Sequence, residues 1–283
     1  MRRFALALAL IGLAGTAQAA PRAPQAPART AAEVIERNVA ARGGLEAWRK
    51  VETMVWLGHV ERASSKEGSR VAFVMQLKRP NLTRFELKEQ FNQFTRIFDG
   101  TRGWKIRPAS DGRPESKAFS PEEIQFARAE FVLDGPLIDY QAKGVTAELD
   151  GLDSIEGHKA YRLSLRLPSG AERKVWIDIA TNLELRYDRP ATNPLVAGKP
   201  VSVYYRNYES IEGLQIPRSI EVGGGADNAA SQAADKLVIE HVLVNPKLDD
   251  HAFLPPAVPI RHGGKIHIPG DPGSPGPGPG PGS

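Results

Sequence analysis

The chain carries six histidines: His59, His158, His241, His251, His262 and His267. None is paired at HExxH or His-x-His spacing within one element, so a two-histidine metal site has no local scaffold. The 283 residues include no cysteine, which excludes thiolate metal sites, disulfides, a cysteine nucleophile and a lipidated cysteine within this sequence. No G-x-S-x-G elbow presents a serine nucleophile. Glu122–Glu123 and Asp249–Asp250 are adjacent carboxylates, but adjacency points side chains apart. The first pair suits the positive end of a helix start, and the second suits a turn after Asn245-Pro246. Gly223-Gly224-Gly225 precedes no lysine-bearing helix and is no phosphate cradle. These residues nominate no catalytic group, metal or cofactor, and a solvent-facing position is the default for each histidine. A hydrolase would have to assemble its residues from distant strands.

Large apolar and cationic side chains are more informative. For Trp48, Trp56, Trp104 and Trp176 the default is core or sheet-face packing, and the sharper reading is an apolar pocket wall. Arg84, Arg96, Arg102 and Arg107 lie on neighbouring candidate strands. The default for them is a solvated sheet face, and the alternative is a basic rim facing lipid headgroups or an acidic partner.

The elements that must position these groups follow from periodicity. Thr30 with Glu33 reads as a capping box opening a helix that carries Val34, Ile35 and Val39 and ends at Gly43-Gly44. A single turn over Leu45 to Lys50 follows. Ser120-Pro121-Glu122-Glu123 opens a second helix bearing Ile124, Phe126, Ala127 and Phe131, stopped at Asp134-Gly135-Pro136. Nearly everything else alternates with period two. Val71, Phe73, Met75 and Leu77 interleave with polar residues, as do Phe85 and Leu87, Leu163 and Leu165, and Val175 and Ile177. About ten strands with so few helices point to antiparallel sheet, polar on one face, rather than a parallel α/β fold.

Such a sheet presents roughly 960 Å² of apolar face. Two helices of about 12 and 14 residues and one extra turn cover about half of that. The rest must be hidden in one of two ways. The sheet closes on itself as a packed barrel or sandwich, or it curls around a cavity that takes an apolar ligand.

Arg2 and Arg3, the apolar run from Phe4 to Leu13 and the small-x-small site Ala17-Gln18-Ala19 read as a secretory leader over residues 1–19. Removing Arg2 and Arg3 from the 37 basic residues leaves a surplus of two over the 33 acidic ones. That balance gives no support to nucleic-acid binding. Residues 20–29 read as a Pro/Ala-rich linker, 30–256 as one folded domain and 257–283 as a Gly/Pro-rich tail with no packed element.

The body carries further signatures in order. They are AARGGLEAWRKVETMVWLGHV from Ala40 to Val60, the Asp99-Gly100 and Gly103-Trp104 hairpin, and HKAYRLSLRLPSGAERKVWIDIATNLELRYD after Gly157. Asn207-Tyr208 with Gly213-Leu214-Gln215-Ile216-Pro217 and the terminal VNPKLDDHAFLPP complete the set. Together they resemble the periplasmic outer-membrane lipoprotein-sorting, or LolA-like, superfamily. The resemblance implies a mainly β (α+β) fold: a strongly curved antiparallel sheet forming an unclosed β-barrel, with two or three short helices as a lid. It also implies a periplasmic carrier or sensor of lipid or lipoprotein acyl chains, not an enzyme, with no cofactor and a monomeric state. By alternation the expected cavity residues are Trp56, Phe73, Met75, Leu77, Phe85, Leu87, Leu163, Leu165, Val175 and Ile177, with Phe126 and Phe131 on the lid. Expected partners are the acyl chain and, secondarily, an envelope membrane protein. A protein-docking regulatory or envelope-assembly module without a lipid site is the rival reading.

Overall fold

The computed structural model describes residues 30–62, 70–89, 93–109, 111–130, 132–190, 200–224 and 235–254. The segments expected as leader, Pro/Ala-rich linker and Gly/Pro-rich tail, with Phe131, His262 and His267, lie outside the described residues.

The helix signals translate into geometry. In α1 (Ala31–Ala41) the Thr30 hydroxyl accepts from the Glu33 backbone N–H at 3.2 Å, and the Glu33 carboxylate accepts from the Thr30 N–H at 3.2 Å. Two otherwise orphaned donors are thereby satisfied. The helix buries Val34, Ile35 and Asn38. Gly43 ends it with φ 115°, where an added Cβ would lie 2.5 Å from the Gly213 carbonyl oxygen. The single turn is α2 (Leu45–Arg49), which buries Trp48. Ser120 and Glu123 form the same reciprocal cap on α3 (Pro121–Ala129). This helix is shorter than predicted: Glu130 is already extended at φ −91° and ψ 111°.

Among the described residues the sheet has thirteen strands, against about ten expected. They are β1 (Thr53–Glu61), β2 (Arg70–Lys78), β3 (Leu82–Lys88), β4 (Gln93–Phe98), β5 (Gly103–Pro108), β6 (Pro114–Ala118), β7 (Thr146–Ile155), β8 (His158–Arg166), β9 (Glu172–Asp178), β10 (Glu184–Pro190), β11 (Pro200–Ile211), β12 (Leu214–Gly224) and β13 (Asp235–Val244). All described pairings are antiparallel, in the order β6-β5-β4-β3-β2-β1-β13-β12-β11-β10-β9-β8-β7. Two meanders therefore meet at the central β1–β13 pair. A short 3₁₀ turn (Asp250–Phe253) follows β13.

One consequence of this order matters for function. β6 and β7 are consecutive in sequence but occupy opposite edges of the sheet. The sheet is not closed, and the chain between these edges has to cross its apolar face. That crossing, residues 119–145, contains α3 and a compact run of turns with Leu137 and Ile138 almost fully buried. The main core lies between the sheet's inner face on one side and α1, α2 and this strap on the other.

Bulges set the strand phase. At Leu57/Gly58 the β1–β13 register slips by one residue. A Cβ on Gly58 would stand 1.9 Å from the Val238 carbonyl oxygen. Gly58→Ala is expected to destabilise the fold by about 1–3 kcal/mol through backbone crowding, read as a lower urea midpoint at unchanged m. A midpoint equal to that of the parent would mean that β1 and β13 separate there at little cost.

Candidate functional site

Between the inner face and the strap lies a cavity of about 370 Å³. Both meanders wall it. Trp56, Met75, Phe85 and Phe98 come from the first, and Val175, Tyr187, Val203, Tyr205, Ile216 and Ile220 from the second. Phe119, Phe126, Val132, Leu133 and Leu137 roof it. Two polar contacts pin the strap to the β2–β3 turn, and a third braces it from within. Asn81 donates to the Ala127 carbonyl at 3.1 Å, and Arg79 pairs with the buried Asp134 carboxylate at 2.9 Å. Lys143 donates to the same carboxylate at 2.6 Å.

Of the expected cavity residues, Trp56, Met75, Phe85, Val175 and Phe126 stand on this wall. Phe73, Leu77, Leu163, Leu165 and Ile177 are packed into the core behind it, each at 0–1% exposure. Phe73 supports the wall directly, its ring centroid 5.8 Å from that of Phe85. Leu87 packs at the margin of the core and borders a separate shallow groove with Phe94 and Arg107.

Sequence reasoning missed the wall from β10 to β12, the roof at Val132, Leu133 and Leu137, and every charge in the site except Arg96. The turn-rich Asp134-Gly135-Pro136 reads as a stop, which hides the apolar Leu137-Ile138 pair behind it. Glu184 was out of reach for a different reason. A bulge at Leu185 reverses the strand phase: Glu184 pairs with inward Ile177, while Arg186 pairs with outward Trp176. Leu185 joins a small cluster with Trp176 on the outer face, and Glu184 turns inward.

The buried charges form two groups. In the first, the Arg42 guanidinium donates to Glu184 at 3.2 Å and to the Asp134 carbonyl of the strap at 2.9 Å. The Tyr208 hydroxyl also donates to Glu184, at 3.3 Å. Burial opposes the charge on Arg42, but Glu184 and its neighbours hold its pKa above the ordinary value. In the second, Arg173 donates to the Tyr187 hydroxyl at 2.8 Å and approaches Glu130 at 3.4 Å. Burial raises the Glu130 carboxyl above the usual carboxylate range despite the attraction of Arg189 and Arg173. Burial likewise raises Tyr187, Tyr205 and Tyr208, so their hydroxyls remain protonated. Arg96, for which a solvated sheet face is the default and a basic rim the alternative, points inward. Its guanidinium sits 4.6 Å above the Phe119 ring and 3.6 Å from Glu123.

A larger groove of about 1000 Å³ runs over the opposite face of β7 to β11. Most of its arginines are paired, Arg186 with Asp188 at 2.6 Å, Arg166 with Glu172 at 2.9 Å and Arg162 with Asp150 at 3.3 Å, while Arg189 borders this groove as well as the cavity. Size alone therefore does not make it the better site. Among the described histidines His59 departs from the solvent-facing expectation. It is buried at 8% exposure, with Glu240 at 2.9 Å and Glu61 at 3.3 Å. Among the described residues no group of three or more His, Asp or Glu side chains could hold a metal ion.

No known family model matches the chain, and no curated protein matches it. Solved structures do. A LolA superfamily protein from Nitrosomonas europaea superposes with a TM-score of 0.53 at 15% identity, covering 81% of this chain and 99% of that one. A DUF1329 family protein from Desulfovibrio piger gives a TM-score of 0.49 at 11% identity, over 79% of this chain and 96% of the other. At such identities the likeness is one of architecture: the chain has the LolA-like fold, an antiparallel sheet left open and roofed by a few short helices.

Proposed function

We propose that this chain is a carrier or sensor of the cell envelope that shields one acyl chain in the cavity beneath the strap. The observation that carries the reading is the 370 Å³ apolar space walled by both meanders. A methylene fills about as much space as a water molecule, ~30 Å³, so the cavity has room for about twelve carbons. At about 0.8 kcal/mol per buried methylene, such a chain offers on the order of 10 kcal/mol before ordering costs. That range supports capture and still permits release. The superfamily resemblance and the secretory-type leader agree with an exported carrier, and no bond chemistry is required of the site.

The test is native mass spectrometry and lipid extraction of the full-length protein, followed by titration with a fluorescent fatty acid. A lipid adduct and saturable uptake are expected. Val203, on the cavity wall at 7% exposure, supplies the control. Val203→Phe excludes about three methylenes, or ~2.4 kcal/mol, and is expected to weaken uptake about fifty-fold. No extracted lipid and no uptake by the parent protein would end the reading.

A further inference from the structure

Resting on that reading, we infer that the cavity selects amphiphiles with an anionic, acceptor-only end group, a carboxylate or phosphate, and that Arg189 is its anchor. In β10, Arg186 and Asp188 face outward and pair with each other, Tyr187 faces the cavity, and Arg189, next to the strand's end, borders both the cavity and the outer groove. The Arg189 guanidinium lies 4.8 Å above the Phe126 ring of α3, on the cavity wall. Among the described residues no carboxylate comes within ion-pair distance of it. Its one described hydrogen bond is a long one, 3.5 Å, to the neighbouring Pro190 carbonyl.

A half-buried guanidinium in an apolar site normally finds a carboxylate. Here the nearby carboxylates have other partners at hydrogen-bond distance, and Glu130 attracts Arg189 only from beyond ion-pair range. Glu130 is approached by Arg173 and by the Tyr187 hydroxyl, each at 3.4 Å. Glu184 serves Arg42 and Tyr208. Glu123 accepts from Lys105 at 2.7 Å, so it is shared when Arg96 approaches it. The wall therefore holds three guanidinium groups, Arg42, Arg96 and Arg189, against two carboxylates, Glu130 and Glu184. The surplus is positive, and Arg189 is where it lacks an ion-pair partner. An incoming carboxylate or phosphate supplies the missing acceptor in the planar, forked geometry that guanidinium prefers. A cationic head would meet repulsion, and a neutral head would leave the guanidinium as it is.

Competition against Nile red on the full-length protein, at about pH 8 so that a fatty acid is ionised, tests this with one chain length and four heads. Dodecanoate and dodecyl phosphate are expected to bind at least tenfold more tightly than dodecanol, with dodecyltrimethylammonium weakest. Arg189→Gln should collapse the anion-to-alcohol ratio below about threefold, in protein whose melting shows that it is folded. Glu130→Gln removes a competing anion and should raise the ratio. Dodecanol binding as well as the anions, or a ratio unchanged in Arg189→Gln, overturns the anchor while leaving the carrier reading intact. Inorganic phosphate displacing dodecyl phosphate at equal concentration also overturns it, because the site would then be a free-phosphate site. Failure of Nile red and all four amphiphiles to bind removes the carrier reading itself.

Discussion

Arg42→Met is expected to lower folding stability by about 3–5 kcal/mol, the usual cost of removing one partner from a buried ion pair. The substitution keeps most of the apolar stem and removes only the charged fork. Glu184, at 7% exposure, would then keep the Tyr208 hydroxyl but no cation at bonding distance. The Asp134 carbonyl would lose the donor that ties the strap to the end of α1. Urea unfolding of the single variants and of the Arg42→Met/Glu184→Leu pair separates the causes. If the cost is an uncompensated carboxylate, the double variant is more stable than the sum of the singles predicts, with a coupling of about 2 kcal/mol. Strict additivity, or a single-variant loss under about 1 kcal/mol, would show that Glu184 reaches water when Arg42 is gone.

Local rules carried much of the fold. Both capping boxes, at Thr30/Glu33 and Ser120/Glu123, form as their spacing indicated, because the motif uses only groups within one turn. Alternation identified β2, β3, β8 and β9 as strands, since period two is a property of the chain itself. It did not fix which inward residue meets the cavity. Phe73 and Met75 share a face of β2, yet Met75 stands on the wall while Phe73 is packed behind it, at 1% exposure. That difference depends on where the strap lies, and the strap's path follows from the pairing of distant strands. Bulges are the second blind spot. One extra residue at Leu185 exchanges the faces of Glu184 and Leu185, which no composition signal announces. Arg189 shows a third limit: a lone arginine on a strand reads as solvated until the opposite face of that strand is known.

Topology also explains why a cavity persists at all. A closed barrel would bring β6 beside β7 and fill its interior with its own side chains. Here those edges are held apart, and the roof is a connection whose length is set by the span it must cross. A strap of this kind, with a nine-residue helix and a run of turns, covers the opening but does not interdigitate at every wall position. Residual volume is the outcome. The strap is held by the burial of Leu137, Ile138 and Val145 in the core and by the tie of Asp134 to Arg79, while Lys143 braces Asp134 from within the strap. With its middle anchored in the core at Leu137 and Ile138, the strap leaves the space beside Phe126, Val132 and Leu133 as the part of the roof that borders the cavity.

Trp48 is where these requirements meet, and Trp48→Ala is expected to be among the most disruptive substitutions in the chain. α2 has only five residues, too few to be stable by propensity. Its place is fixed by the Trp48 side chain, which is fully buried and donates from Nε1 to the Arg42 carbonyl at 3.0 Å. The Arg42 guanidinium lies 4.5 Å above the indole, so the ring also supports the cation that pairs with Glu184. Loss of a buried tryptophan costs about 3–5 kcal/mol, and the lost cation–π contact adds about 1 kcal/mol. For a folded body of this size that corresponds to a fall in melting temperature of roughly 10 °C or more. The Arg42 carbonyl still accepts from the Gln215 N–H at 3.1 Å, so no orphaned acceptor contributes to the loss. Because the indole also borders the cavity, its removal should enlarge the space and shift chain-length preference toward longer acyl chains in the protein that remains folded. Melting within about 3 °C of the parent would mean that neighbouring side chains collapse into the gap. In that event the chain-length shift should vanish as well, because both effects draw on the same unfilled volume.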